Sequence, residues 1–293
     1  MPHQFRGTGV ALVTPFQQDE TIDYPALAKL IDHVIAGGVS YIVALGTTAE
    51  TPTLSAEEKR DVLAFILDKC SGRVPVVCGI GGNNTAEIVH QLGSWPLDGI
   101  AGILSVAPYY NRPGQEGMYR HFKAIAGATD KPVILYNVPG RTGSNILPAT
   151  ALRLAAEFAN IVAIKEASGS MAQCMELVQG RPEHFAVLSG DDDLVLPQIA
   201  LGMEGVISVA ANCYTKDFTQ MVQHALDNRF DEARRLHYKL IAGIRLLFAE
   251  GNPTGVKCAL RHYGICAEVL RLPLVPASGE LSQQLQAFVN AAG

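Results

Sequence analysis

The sequence contains no CxxC pair, no HxH or HExxH arrangement, no GxGxxG or P-loop spacing, and no block of Lys or Arg. Each absence narrows the function. Six cysteines (Cys70, Cys78, Cys174, Cys213, Cys258 and Cys266) stand scattered without zinc spacing, as expected of reduced thiols in a cytoplasmic protein. Eight histidines without paired ligand spacing argue against a metal-dependent hydrolase. "GIGGNNTAE" is rich in glycine but fits no nucleotide fingerprint, so no nucleotide is assigned to it. A formal net charge of −5 without a basic cluster points away from nucleic acid and from anionic membrane surfaces. No apolar run reaches membrane-spanning length, and the start, "MPHQFRGTGVALVTPF", is broken by Gly7, Gly9 and Pro15 before a signal-peptide core develops. Low-complexity tracts and Pro/Ser-rich linkers are missing as well.

What remains is 293 residues of ordinary globular composition, 48 % hydrophobic and 17 % charged, with ample material for a core. Eight short apolar runs recur: "GVALVT", "YIVALGT", "PVVCGI", "GILSVAP", "PVILYNV", "IVAIKEA", "FAVLSGDD" and "GVISVAA". Such runs read as strands buried on both faces. Between them lie helical stretches. In "YPALAKLIDHVIAGG", Leu27, Leu30, Ile31, Val34 and Ile35 form one stripe, with Gly37 or Gly38 as the C-cap. In "LSAEEKRDVLAFILDKC", Ser55 and Glu58 have capping-box spacing. Eight strand-plus-helix units predict an α/β fold, a (β/α)8 barrel over residues 1–226. After the eighth run only helical patterns follow, so residues 227–293 are expected to form a C-terminal helical extension.

In a barrel, the C-terminal strand ends share one mouth. There the sequence places "GTTAE", "PYY", "YNVPGRTG", Lys165-Glu166 and "SGDDD". Lys165 is the most pointed, because Ile161 to Ile164 run apolar straight into it. A lone strand-end lysine usually snorkels to solvent. Held in an apolar barrel interior, it would instead expose a neutral, nucleophilic amine able to form a Schiff base with a ketone or aldehyde. Tyr136, expected on the neighbouring strand, reads either as a core aromatic or as a phenol moving protons beside the imine. "TTAE" spells a helix cap with Glu at the capping-box position, and Thr47 and Thr48 equally suit a carboxylate site. Arg141 in "GRTG" is a solvated charge or a bidentate clamp for a carboxylate. Tyr109 and Tyr110 pack a loop, or seal the site and meet a neighbouring subunit. Asp191 to Asp193 are expected to cap the following helix.

Taken in order, "GTTAETPTL", "APYYNRPGQEGMYRHF", "ILYNVPGRTG", "IVAIKEASG", "SGDD" and "GVISVAAN" resemble the dihydrodipicolinate synthases, in the pyruvate-dependent class I aldolase family that includes N-acetylneuraminate lyase. The likeness spans essentially the whole chain. It implies an imine between Lys165 and pyruvate, with Tyr136 as proton donor and acceptor. Thr47 and Tyr110 would complete its relay, Tyr110 from a partner subunit. Thr48 would hold the pyruvate carboxylate, Ile207 would contact pyruvate through its backbone, and Arg141 would bind L-aspartate 4-semialdehyde. No cofactor is implied beyond the covalent imine, and the expected assembly is a homotetramer, a dimer of dimers. Two rivals are a sibling aldolase acting on a sugar acid (N-acetylneuraminate or 2-keto-3-deoxygluconate type) and a catalytically silent keto-acid sensor.

The chain also departs from the family pattern. Ala49 stands where Gly is usual, a strained choice if that position needs positive φ. "GNPTGVK" replaces the more usual "NPIPVK", a change expected to lie away from the chemistry. The lysine-inhibition site of some members is matched by Asn83, Glu87 and Tyr109, but Ala56 and Lys59 replace its added histidines. A lysine side chain there would repel a cationic effector, so weak or absent inhibition is expected.

Overall fold

A computed structural model describes residues 3–292. Eight parallel strands close into a barrel in sequence order: β1 (Gly7–Ala11), β2 (Tyr41–Ala44), β3 (Val76–Gly79), β4 (Gly102–Val106), β5 (Val133–Asn137), β6 (Ile161–Glu166), β7 (Ala186–Ser189) and β8 (Gly205–Ser208). All eight apolar runs supply a strand. The first strand begins and ends earlier than the run "GVALVT". Beyond it, the Asn212 side chain takes over the ladder's work, donating to Ala11 O at 2.8 Å and accepting from Val13 N at 3.4 Å.

The helices are α1 (Tyr24–Ala36), α2 (Ala56–Cys70), α3 (Thr85–Ser94), α4 (Gln115–Gly127), the short α5 (Pro139–Thr142), α6 (Pro148–Glu157), α7 (Met171–Gly180), α8 (Val195–Ala200) and α9 (Thr215–Leu226), followed by α10 (Phe230–Phe248), α11 (Thr254–His262) and α12 (Gly279–Ala292). The capping box of α2 is formed: Glu58 N donates to Ser55 Oγ at 3.1 Å and Ser55 N to Glu58 Oε2 at 2.8 Å. Helix α9 packs on β8 and β1 between α8 and α1, closing the outer ring. Among the described residues, no helix is long and apolar enough to cross a membrane.

Two apolar layers follow from the period-2 alternation of strand side chains. Outward residues such as Leu135, Ile164 and Val187 pack under the helices. Inward residues, including Val43, Val77, Ile134, Ala163 and Leu188, fill the barrel interior, with Phe5 and Tyr41 packed edge-on at 5.5 Å in the same cluster. The alternation decides the fate of β6. Ala163 faces inward, so Lys165, two residues on, faces inward too.

Candidate active site

Register brings the first pair of polar groups together. Tyr136 on β5 is the direct partner of Lys165 on β6, and Asn137 is the partner of Glu166. Lys165 Nζ stands 4.3 Å from the centre of the Tyr136 ring. Lys165 is 5 % exposed, yet among the described residues its amine has no carboxylate or carbonyl partner. Gly190 makes room for it: a Cβ there would stand 3.0 Å from Lys165 Cε and 2.5 Å from Ala167 Cβ.

Behind this pair, the strand ends are locked by a buried polar network. Glu166 accepts from Asn137 Nδ2 at 2.9 Å, Gln173 Nε2 at 2.8 Å and Ser168 N at 2.7 Å. Asn137 Oδ1 in turn accepts from Ile146 N at 2.8 Å. A fully satisfied network of this kind rigidifies its surroundings, so the inward residues next to it have fixed backbone origins.

Two adjoining cavities open over the barrel mouth. The inner one, about 170 Å3, is lined by Lys165, Tyr136, Thr47, Thr48, Arg141 and Asp191, among others. The outer one, about 480 Å3, shares Tyr136, Thr47 and Arg141 and extends past Tyr109 and Lys59. The outer is the larger, but the inner holds the amine and is where chemistry can begin. Five of the seven sequence-predicted site residues therefore meet at one cavity: Lys165, Tyr136, Thr47, Thr48 and Arg141. Ile207 lies on β8 opposite Gly9 of β1, within the inner apolar cluster, and lines neither cavity. Tyr110 also lines neither; the residue is 85 % exposed and its φ is +71°.

The threonine turn is built differently from a helix cap. Thr47–Ala49 form a single 3-10 turn with no side-chain cap. Glu50 does not reach back to it; Glu50 takes φ +54° and buries its carboxylate against Lys257 Nζ at 2.5 Å, with both side chains fully enclosed. The capping reading of "TTAE" is thus corrected: a partner 207 positions away wins the carboxylate from the local backbone. Positive φ falls on Leu45 and Glu50, so Ala49 carries no left-handed strain. The expected capping of the next helix by Asp191 to Asp193 is also overturned, since α8 has no side-chain cap. Instead Asp192 Oδ2 accepts from Val209 N at 3.0 Å and Ala210 N at 2.8 Å, pinning the end of β8.

Electrostatics at the inner cavity follow from burial. Burial pushes the Asp191 carboxyl up to about 6, with the Gly169 amide, donating at 3.2 Å, acting the other way. Asp192 is raised as well, again chiefly by burial, with the hydrogen bonds it accepts and the Lys165 charge opposing. Arg141 has no acidic partner among the described residues, leaving an unneutralised guanidinium on the rim of both cavities.

One contributor was invisible in the sequence. "GNPTGVK" is not remote: Asn252 lines both cavities and donates from Nδ2 to Thr48 Oγ1 at 3.0 Å. No periodicity or motif signals a contact between residues 204 positions apart.

The chain resembles known proteins along nearly its whole length. Residues 4–292 match the dihydrodipicolinate synthetase family. A 4-hydroxy-tetrahydrodipicolinate synthase of Flavobacterium psychrophilum is 52 % identical over 286 residues, covering 98 % of each chain. The crystal structure of dihydrodipicolinate synthase from Aquifex aeolicus is 42 % identical, covers 98 % of each chain and superposes with a TM-score of 0.95. The chloride-inhibited dihydrodipicolinate synthase of Acinetobacter baumannii, complexed with pyruvate, is 39 % identical over 99 % of each chain, with a TM-score of 0.95.

Proposed function

The chain belongs to the dihydrodipicolinate synthetase family, and from that premise we propose that it condenses pyruvate with L-aspartate 4-semialdehyde to 4-hydroxy-tetrahydrodipicolinate, on the route to diaminopimelate and lysine. The observation that carries this reading is the buried, unpaired Lys165 amine beside the Tyr136 ring inside the barrel. With no carboxylate to hold it and the inner cavity open in front of it, the amine is available to a carbonyl carbon. The sugar-acid aldolase reading would use the same amine, but the relatives from Flavobacterium psychrophilum and Aquifex aeolicus carry the synthase name.

In the proposed reaction, Lys165 Nζ attacks the pyruvate ketone carbon, and water leaves as the imine forms. The protonated imine is the electron sink, so the scheme calls on no cofactor. Tyr136 takes a methyl proton, and the resulting enamine adds to the aldehyde carbon of the second substrate. The new alkoxide takes up a proton. The substrate's own amine then displaces Lys165 from the imine carbon, closing the ring and freeing the lysine. Thr48 holds the pyruvate carboxylate and Arg141 clamps the carboxylate of the semialdehyde. The backbone contact of Ile207 with pyruvate rests on the family resemblance, since Ile207 lies on β8 below the cavity lining and Val209, two residues on, is the β8-end residue that lines it. Thr47 relays protons to Tyr136 together with Tyr110. The exposure of Tyr110 supports its reaching the site of a second copy; the homotetramer, a dimer of dimers, rests on the family resemblance. A cytoplasmic setting suits the six free cysteines, all buried.

The test is direct. Borohydride reduction in the presence of pyruvate should leave a stable adduct on Lys165, located by peptide mass. In parallel, pyruvate should be consumed with aspartate semialdehyde and not with N-acetylmannosamine. Consumption of the sugar alone would transfer the chain to the lyase branch.

A further inference from the structure

Thr48 is 1 % exposed, yet it lines the inner cavity. A threonine hydroxyl carries one proton and accepts through its lone pairs. To donate to a substrate carboxylate, it must not spend that proton on the protein. Its one side-chain partner among the described residues is Asn252, whose Nδ2 donates to it at 3.0 Å. With the acceptor side of the hydroxyl occupied by an amide N–H, the proton is left to point elsewhere.

Asn252 is held for this by the same two segments that it joins. Glu50, two residues after Thr48, is ion-paired to Lys257, five residues after Asn252. Arg271 N adds a hydrogen bond to Glu50 Oε2 at 3.0 Å. The ion pair already ties the C-terminal helices to the threonine turn, so the amide is not needed as a tether. Its oxygen, moreover, has no partner.

We propose that Asn252 is a positioning residue that orients the Thr48 hydroxyl as a donor to the substrate carboxylate, so that the C-terminal extension shapes the pyruvate site from behind. This rests on the reading of Thr48 as a carboxylate donor. An amide turned the other way would accept the Thr48 proton and compete with the substrate. The two orientations predict opposite effects of removing Asn252.

The experiment is a double-mutant cycle on the full-length protein, with N252A, T48V and the double variant assayed at saturating aspartate semialdehyde and varied pyruvate. Asn252→Ala should raise the pyruvate KM about tenfold, the effect of a weakened hydrogen bond to a charged group. The kcat should change little, because the contact is present equally before and during reaction. In the T48V background the same change should add nothing. A pyruvate KM that is unchanged or lowered by N252A overturns the proposal, as does an equal effect in both backgrounds. Should N252A fail to fold, the isosteric N252D, which when ionised accepts but does not donate, replaces it. It should raise the KM more in the wild-type background than in T48V, and an unchanged KM again overturns the proposal. Wild-type borohydride trapping separates the failures. With no adduct the Schiff-base function falls; with an adduct and an indifferent N252A, only the role of Asn252 does.

Discussion

Lys165 and Tyr136 are direct partners across the β5–β6 pair, and the amine stands 4.3 Å over the ring. The pairing is set by barrel register rather than by sequence proximity. Lys165→Ala should abolish the borohydride-trapped pyruvate adduct and nearly all turnover. Lys165→Met should do the same while leaving the thermal midpoint unchanged or higher, because it replaces a buried amine with an apolar chain of similar length. A marked fall in the midpoint would mean that the lysine is needed for folding.

Tyr136→Phe keeps the ring and loses the phenolic proton. The adduct should still form, while turnover falls by about 100-fold or more if the phenol carries the proton. Single-turnover trapping beside steady-state rates separates the two steps. Turnover near wild type would assign the proton transfer to another group.

The Glu50–Lys257 pair is fully enclosed, and Lys257 Nζ also donates to Val269 O at 2.8 Å. Burial lowers the Lys257 pKa, with Glu50 opposing. Removing one partner leaves the other charge buried alone, a cost of about 3–5 kcal/mol. Lys257→Met should therefore lower the thermal midpoint by about 5–10 °C. The double variant with Glu50→Gln should recover much of the loss, since no uncompensated charge remains. Equal losses in the single and double variants would disprove the coupling.

His121 lies on the buried face of α4, its Nδ1 at 2.8 Å from Thr85 Oγ1 and its Nε2 without a partner. Burial depresses its pKa from 6.5 to about 4. Between those values the unfolded chain binds a proton that the folded chain does not. The contribution is therefore fully present above pH 6.5 and is lost as the pH falls toward 4, amounting at most to about 3 kcal/mol. Denaturant melts of wild type and His121→Gln at pH 7 and pH 4.5 should show the variant losing less stability on acidification. Parallel losses in both proteins would exclude His121 as the cause.

Lys59 and Tyr109 line the outer cavity together, and Asn83 Nδ2 donates to Tyr109 O at 3.3 Å. A cationic effector entering this outer cavity would meet the Lys59 ammonium. L-lysine should accordingly inhibit weakly or not at all, and Lys59→Ala should increase sensitivity. Inhibition of the wild type by micromolar L-lysine would refute this.

The sequence by itself determined the barrel and the amine. Strands buried on both faces must be apolar throughout, so eight such runs were legible without coordinates, and a lysine ending one of them stood out. Capping of α2 was legible because a capping box is a contact within one helical turn. The same local rule failed at "TTAE", where Glu50 turns instead to Lys257, and at Asp191 to Asp193, where Asp192 secures β8. Only the tertiary structure decided those partners, together with the meeting of Asn252 and Thr48. Periodicity reports which face of an element is buried; it carries nothing about which distant polar group will share that burial. That choice falls to the closed barrel and the helices folded over its mouth, where a polar atom cut off from water must take the partner that packing puts within reach.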